Sequence, residues 1–487
     1  MIKMLFNSIE FFIFLPIVIL IYFLLRKKLS GKSWVVILLA SYYFYMSLKP
    51  EYVLLVIAST LVNYFAAITI EKTKKIGRQK LILALAVVYN IGMLVLFKYF
   101  NFFNETITAS LKLFSIPFEP TLLNLVLPIG ISFYTFQALG YVIDVYRGKV
   151  KAEKRLGIMA TYIAFFPTIL AGPIERAKNL MPQIIKSKKF DWQTAGKGFR
   201  LFLFGLFLKV VIADRLGIVV NTIYGSPTEY TGIPLMLATL FFSFQIYADF
   251  AAYSSMAIGA AKILGFNLME NFRRPYLAKS FSEFWRRWHI SLSTWFRDYV
   301  YFSLGGSKVK IPRWYLNLFI VFVASGLWHG ANITFILWGA LHGAYIIIEK
   351  MPKNFLKPLK NKTTFLGKRF WGFVATIFTF VFVTIAWVFF RSNNVGEAIY
   401  ILTNFFSGWG TNLSNIRLGG IGGTTGLIFT FVLIGLLILF EVIQERHSID
   451  KLFCKFPRWT KLLVYIVLIT AIIFFGVTGA QFIYFSF

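Results

Sequence analysis

His329 is the side chain in this sequence best placed to do chemistry. It sits in Ala324-Ser325-Gly326-Leu327-Trp328-His329-Gly330-Ala331-Asn332, inside a stretch otherwise apolar enough to lie in a membrane. An ionisable group in hydrocarbon is costly and marks a functional site by default. An imidazole exchanges a proton near neutral pH, the task of a general base acting on a hydroxyl. Ser325 lies four residues before it and Asn332 three after, so on a continuous helix both share its face and can orient the ring. The alternative is a buried histidine satisfied by a neighbouring backbone carbonyl.

The chain has four histidines, so each can be weighed. His289 follows Glu283-Phe284-Trp285-Arg286-Arg287-Trp288 at the edge of an aromatic stripe. It reads either as the polar tip of an interfacial helix or as a partner for His329. Arg286 and Arg287 read as anchors to lipid phosphate or to a carboxylate. His342 is thirteen positions beyond His329, on a different face of any continuous helix, and is kept as a structural or supporting residue. His447 lies in the charged loop Gln444-Glu445-Arg446-His447 and reads as solvated. Other chemistries lack their motifs: there is no Walker A lysine, no G-x-S-x-G elbow and no H-E-x-x-H. The glycines Gly419, Gly420, Gly422, Gly423 and Gly426 read as a loop beside an apolar span.

The elements that must position these residues are helices in a membrane. Apolar residues make up 58%, aromatics 19% and charged residues 15% of the 487, where a soluble globule carries about a quarter charged. Apolar runs near the roughly 20 residues needed to cross a bilayer recur throughout. The fold class is all-α: a polytopic integral membrane bundle of about 11 spans plus re-entrant or interfacial helices, one domain over 1–487. Alternating strands of a barrel are absent.

The net charge of +31 does not imply nucleic acid, because the basic residues fall in short loops between apolar runs. Loops around Arg26–Lys32, Lys72–Lys80 and Arg147–Arg155 are basic; those around Lys49 and around Glu105, Lys112 and Glu119 are nearly neutral. Positive-inside bias then puts the N-terminus outside. No cleaved leader is expected, since Glu10 borders the first run and no small-residue cleavage site follows. The single Cys454 excludes an intrachain disulfide.

Spans are expected near 8–25, 34–48, 52–70, 81–100, 123–145, 201–222, 233–258, 371–390, 424–443 and 463–485. The run 156–174, ending in Ala171-Gly172-Pro173, has basic loops on both sides and reads as a re-entrant hairpin. The segment 281–301 carries Phe281, Phe284, Trp285, Trp288, Leu292, Trp295, Phe296 and Tyr299 at helical spacing and reads as one amphipathic helix. The stretch 314–348 is flanked by Lys308, Lys310 and Arg313 and by Lys350, Lys353 and Lys357, so two short dipping helices with Trp328-His329-Gly330 at the bend are expected.

Taken in order, these residues carry a resemblance. Gln245-Ile246-Tyr247-Ala248-Asp249-Phe250, Glu270-Asn271-Phe272-Arg273-Arg274-Pro275-Tyr276, Trp285-Arg286-Arg287-Trp288-His289, Trp295-Phe296-Arg297-Asp298-Tyr299 and Trp328-His329-Gly330, with Pro128–Thr135 and Gly172-Pro173-Ile174 upstream, resemble the membrane-bound O-acyltransferase family and its alginate O-acetyltransferase branch. The set is densest over about 125–345; Ala248 stands where that branch has cysteine.

The resemblance implies a bundle with a thinned centre open to both sides, and acyl transfer to a hydroxyl. It makes His329 the catalytic histidine and His289 its associate, with Asn332, Ser325, Trp328, Asp298, Arg297 and His342 as candidates to support them. It implies no bound cofactor, an acyl thioester such as acetyl-CoA as donor, a polysaccharide acceptor outside, and extracytoplasmic acetyltransferase- or esterase-like partner proteins in a cytoplasmic membrane. The rival readings are a glycan transporter or flippase, a structural assembly subunit, and D-alanyl transfer to teichoic acid from a carrier protein.

Overall fold

Residues 4–29, 31–116, 122–123, 125–351, 365–408, 423–447, 449–477, 479 and 481–485 are described by the computed structural model of the chain. Among them every regular element is helical. Eight of these helices are long and apolar enough to cross a bilayer. Ile9–Leu25 and Trp34–Met46 are apolar but shorter, at 17 and 13 residues. Large apolar side chains face outward along these helices, among them Leu54 (64% exposed), Phe373 (63%) and Ile473 (69%). Arg458–Phe475 buries none of its apolar length. Water does not tolerate such surface on this scale, and lipid does. The chain is a multi-pass membrane protein.

Several expected spans differ in extent. The 123–145 run is helical only from Ile131, and the 463–485 run is α-helical only to Phe475, with a 3-10 turn at Ile483–Phe485. Lys353, Lys357, Glu119, Gly419, Gly420 and Gly422 lie outside the described residues.

The chain divides into two compact units. The first comprises Met1–Phe202 and Tyr253–Glu270. Within it, Tyr52–Lys72 and Ile76–Leu94 are joined by a short turn, where the Gln79 amide donates to the carbonyls of Ile70 (3.2 Å) and Thr73 (2.7 Å) and so satisfies a helix end. Deeper in, Asn63 and Asn90 each donate an amide hydrogen to the other, at 3.2 and 2.9 Å. Each also donates to a carbonyl one turn back, on Ser59 and Ala86. A satisfied amide pair is the kind of polar contact that holds helices together in lipid, where the hydrophobic effect between them is lost.

The 156–174 run is a nine-residue helix, Leu156–Ala164, followed by a buried turn. Thr168 and Ile169 both donate their N–H to the Phe165 carbonyl, and the Phe166 N–H donates to Ser41 Oγ at 3.0 Å. The helices Trp34–Met46, Tyr52–Lys72, Ile131–Tyr146 and Ala177–Ile185 pack against the nine-residue helix. Irregular backbone at membrane depth needs such an enclosure by protein.

The second unit comprises Leu203–Ala252 and Asn271–Phe487. Its helices Ile311–His329 and Ile333–Lys350 form a hairpin of 19 and 18 residues, so the expectation of two short dipping helices is corrected: both are long enough to span. They lie close because Gly326 and Gly339 meet at the contact. A Cβ on Gly339 would sit 2.4 Å from the Phe322 carbonyl oxygen, and one on Gly326 2.2 Å from that of Phe335.

The 201–222 run is interrupted by a π-helical turn at Leu208–Ala213. There the Asp214 N–H donates to the Lys209 carbonyl, five residues back. On an α-helix, positions five apart diverge by about 140°. The π turn stacks them instead, and Lys209 Nζ bridges Asp214 Oδ1 at 2.7 Å and Asp249 Oδ1 at 2.8 Å. All three side chains are at most 5% exposed.

Candidate active site

The expected single helix over 281–301 is in fact three pieces: Phe281–Arg287, Ile290–Phe296 and a π turn at Arg297–Tyr301. The first is capped by Ser280, whose hydroxyl accepts from the Glu283 N–H at 3.2 Å, while Glu283 accepts from the Lys279 N–H at 2.9 Å. The break falls on His289, which adopts a left-handed conformation with φ +40°. A non-glycine residue there is strained and persists only where its surroundings impose it. The chain at 271–273 does so. The Ile290 N–H donates to the Asn271 carbonyl and the Arg273 N–H to the Arg287 carbonyl, both at 2.8 Å, clipping the two sides of the break to one short segment.

The same segment sets the tautomer of His289. Asn271 Oδ1 accepts from the Ser291 N–H (3.2 Å) and the Ser291 hydroxyl (2.9 Å), and lies 3.0 Å from His289 Nδ1. A backbone N–H can only donate, so the atom facing it is the amide oxygen, and His289 Nδ1 must carry a proton to bond with it. Burial pushes the His289 pKa down to about 3, so the ring is neutral and its lone pair sits on Nε2.

His329 ends the Ile311–His329 helix and is 2% exposed. The next residue, Gly330, has no room for a side chain: a Cβ would lie 2.0 Å from the Phe335 ring. The His329 ring stands nearly perpendicular to Trp338 (centroids 4.9 Å apart) and packs on Phe390 (5.3 Å) and Tyr484 (5.6 Å). His289, 0% exposed, packs on Phe250 (4.6 Å) and Phe272 (6.2 Å).

Two bridges join the histidines. The Trp328 ring lies 6.1 Å from His289 and 5.0 Å from His329. On another side Phe250, against His289, lies 4.5 Å from Tyr484, which is against His329. Two imidazoles forty residues apart in sequence thus share one buried, aromatic-walled site.

The other expected site residues are placed as follows. Trp328 is a wall of the site, and Ser325 is buried one turn before His329. Asn332 caps the next helix instead of sharing a face with His329: its Oδ1 accepts from the Thr334 N–H (3.0 Å) and its Nδ2 donates to the Asn393 carbonyl (2.7 Å). The shared face required a continuous helix, and the helix stops at His329. Arg297 and Asp298 pair with each other at 2.9 Å, with the arginine side chain 55% exposed. His342 is brought back by the hairpin. Its Nδ1 accepts from Trp285 Nε1–H at 3.3 Å, and its ring lies 5.0 Å from Trp338, which also covers His329.

Sequence reasoning assigned no role to Asn271, Phe250, Trp338, Phe390 or Tyr484. It also passed over Lys209 and Asp214, although ionisable residues inside an apolar run are a signal in themselves.

The tautomers make a spectroscopic prediction. Nitrogen NMR of protein labelled only at histidine is expected to show His289 protonated at Nδ1 and His342 at Nε2. Asn271→Leu should abolish the Nδ1-protonated signal of His289 and leave His342 unchanged. An unaltered His289 signal in that variant would refute the role of Asn271.

Comparison with known proteins adds a second line of observation. Residues 155–396 match the family described as MBOAT, membrane-bound O-acyltransferase. The chain is 37% identical to a probable alginate O-acetylase of Pseudomonas syringae, over 91% of this chain and 83% of that one. It is 34% identical to a peptidoglycan O-acetyltransferase of Helicobacter pylori, over 85% and 82%. It is 28% identical to a teichoic acid D-alanyltransferase of Bacillus subtilis, over 55% and 69%.

Proposed function

The chain belongs to the membrane-bound O-acyltransferase family, and from that premise we propose that it transfers acetyl groups from a cytoplasmic thioester for O-acetylation of a polysaccharide outside the membrane. The observation that carries this reading is the shared buried site of His289 and His329. Relatives named as O-acetylases align over most of this chain at 34–37% identity, and the D-alanyltransferase over about half of it at 28%. That contrast favours acetyl over D-alanyl.

In this reading His329 takes the proton of the attacking hydroxyl as its oxygen adds to the thioester carbonyl. It returns the proton to the thiolate when the tetrahedral intermediate collapses, so the products are an ester and a free thiol. Backbone N–H groups at the Gly330–Asn332 break supply donors to the oxyanion. His289 presents a lone pair at Nε2, which suits it to accept a hydrogen bond from the hydroxyl or to relay its proton, and not to donate to the oxyanion. The donor is acetyl-CoA or a carrier-protein thioester. The acceptor is the polysaccharide itself or the hydroxyl of an extracytoplasmic acetyltransferase- or esterase-like partner. The alternation of basic and neutral loops supports a cytoplasmic-membrane location with the N-terminus outside.

Purified protein in liposomes, supplied on one side with acetyl-CoA carrying a labelled acetyl group, is expected to pass the label to a hydroxyl on the other, of the polysaccharide or of the partner protein when that is supplied. Movement of intact glycan without label would favour a transporter. Transfer of D-alanine from its carrier protein in place of acetyl would favour the teichoic acid reading.

A further inference from the structure

In the second unit, the helices Phe365–Arg391 and Gly423–Arg446 line two sides of a groove of about 780 Å³ that the chemistry above does not use. One end of it is charged. There Glu283 accepts from the Lys279 N–H at 2.9 Å and from Arg287 Nη2 at 2.7 Å. Glu445 accepts from Arg287 Nη2 at 2.9 Å and from Arg274 Nε at 2.6 Å. The Lys279 side chain reaches Gly372, where a Cβ would lie 3.5 Å from its Nζ. Residues 372 and 445 therefore mark the same end. Phe380, on Tyr276 (5.1 Å) and Phe244 (5.7 Å), lies about two turns further along.

The charges at this end do not balance. Each of the three carboxylates lining the groove has a partner: Glu283 and Glu445 as above, and Glu441 with the Tyr247 hydroxyl, which donates to it. Lys279 and Arg446 also line it, are exposed, and have no ion pair or side-chain hydrogen bond among the described residues. The uncompensated charge is thus positive. Beyond it the walls are apolar and outward-facing, with Phe373 63% exposed, Ile377 46% and Ile438 38%. Over 372–380 and 438–446 each wall runs about 12 Å.

We infer that this groove is a binding site for an anionic phospholipid: Lys279 and Arg446 hold the phosphate, and one acyl chain lies along the apolar walls while the other stays in the bilayer. A partner helix would be apolar along this whole length. A groove basic at one end and apolar beyond it matches an amphiphile with an anionic head. The guanidinium can grip two phosphate oxygens at once, and the ammonium adds a point charge. Basic pockets between transmembrane helices at the cytoplasmic face take such head groups, and in the topology proposed above this end is cytoplasmic. The volume falls within the roughly 300–1,000 Å³ of small-molecule sites, enough for a head group and one chain. The occupant would brace Phe281–Arg287, the piece that leads into the break at His289.

The inference does not depend on the acyl-transfer reading, and its test measures binding alone. Full-length protein, stripped of lipid in detergent, is titrated with phosphatidylglycerol or with phosphatidylcholine of the same chain length. Native mass spectrometry counts the bound lipid, and the thermal midpoint reports its effect on the fold. Phosphatidylglycerol should bind at one site about tenfold more tightly than phosphatidylcholine, and should raise the midpoint more. Lys279→Gln combined with Arg446→Gln should weaken it roughly 25-fold, the worth of two basic side chains at an anionic surface. Thr376→Phe keeps both cations but puts a ring in the path of the chain, and should weaken both lipids. Lys74→Gln combined with Lys75→Gln, at two exposed lysines of the first unit, should leave binding as it was.

Unchanged binding in either the Lys279/Arg446 variant or Thr376→Phe overturns the inference. So does an equal loss in the Lys74/Lys75 variant, which would reduce the effect to attraction between a basic surface and an anionic lipid. Glycerol phosphate that raises the midpoint as far as the lipid does would make this an anion site with no chain. Displacement of the lipid by acetyl-CoA would make the groove part of the donor's route. Either result also overturns the lipid assignment.

Discussion

His329→Ala is expected to abolish acetyl transfer while leaving membrane insertion and folded yield intact. General-base catalysis is worth roughly 10²–10⁴-fold in rate, and the side chains around His329, which is 2% exposed, are Trp328, Trp338, Phe390 and Tyr484, none of them a base at neutral pH. His329→Gln fills the space better and should be almost as inactive, since an amide cannot accept the proton. The measurement is single-turnover transfer from labelled acetyl-CoA by purified protein in liposomes, with size-exclusion profile and thermal midpoint compared to wild type. A variant that folds normally and transfers at close to the wild-type rate would remove the base assignment. His289→Ala, assayed alongside, bears on the relay: a residue that orients the hydroxyl should cost less than the base itself.

The second large effect concerns folding. Lys209→Met leaves the carboxylates of Asp214 and Asp249 buried and facing each other without their cation. Removing one partner of a buried ion cluster costs roughly 3–5 kcal/mol, so a sharp drop in thermal midpoint and in folded yield is expected. Adding Asp214→Asn and Asp249→Asn to that variant should recover much of the loss, because asparagine at 249 still accepts from the Ile483 N–H and no unpaired charge remains. Thermal unfolding of the purified single and triple variants measures both. A Lys209→Met protein as stable as wild type would mean that the cluster is of little consequence.

How much of this was legible in the sequence depends on the range of the forces involved. The break after His329 could be read from the basic residues flanking both ends of 314–348, and it is where the structure ends the Ile311–His329 helix. Asn332 was misplaced by assuming that the helix ran on. The better signal was present: asparagine directly before Ile333-Thr334 is a helix N-cap.

The break at His289 was hidden for a different reason. The aromatic spacing from Phe281 to Tyr299 fits one helix, and nothing local contradicts it. What imposes φ +40° on His289 is the backbone of 271–273, whose bonds to Arg287 and Ile290 leave no trace in the pattern. The spans at 52–70, 233–258, 371–390 and 424–443 were legible because long apolar runs have few alternatives. The aromatic walls were not, because Phe250, Phe390 and Tyr484 come from three separate regions and only the fold brings them to one place.

The π turn at Leu208–Ala213 makes the length of its span a constraint in its own right. It acts as a phase shift: each residue of an α-helix advances the side chains by about 100°, so the extra residue in this turn decides which face the whole of Asp214–Gly225 presents. Substitution there changes one side chain. Loss of a single residue would rotate every side chain beyond it, carrying Asp214 away from Lys209 and turning buried Leu216, Val219 and Val220 off their neighbours. A deletion along this stretch is therefore expected to cost more than most single exchanges in it, those at Lys209 and Asp214 excepted.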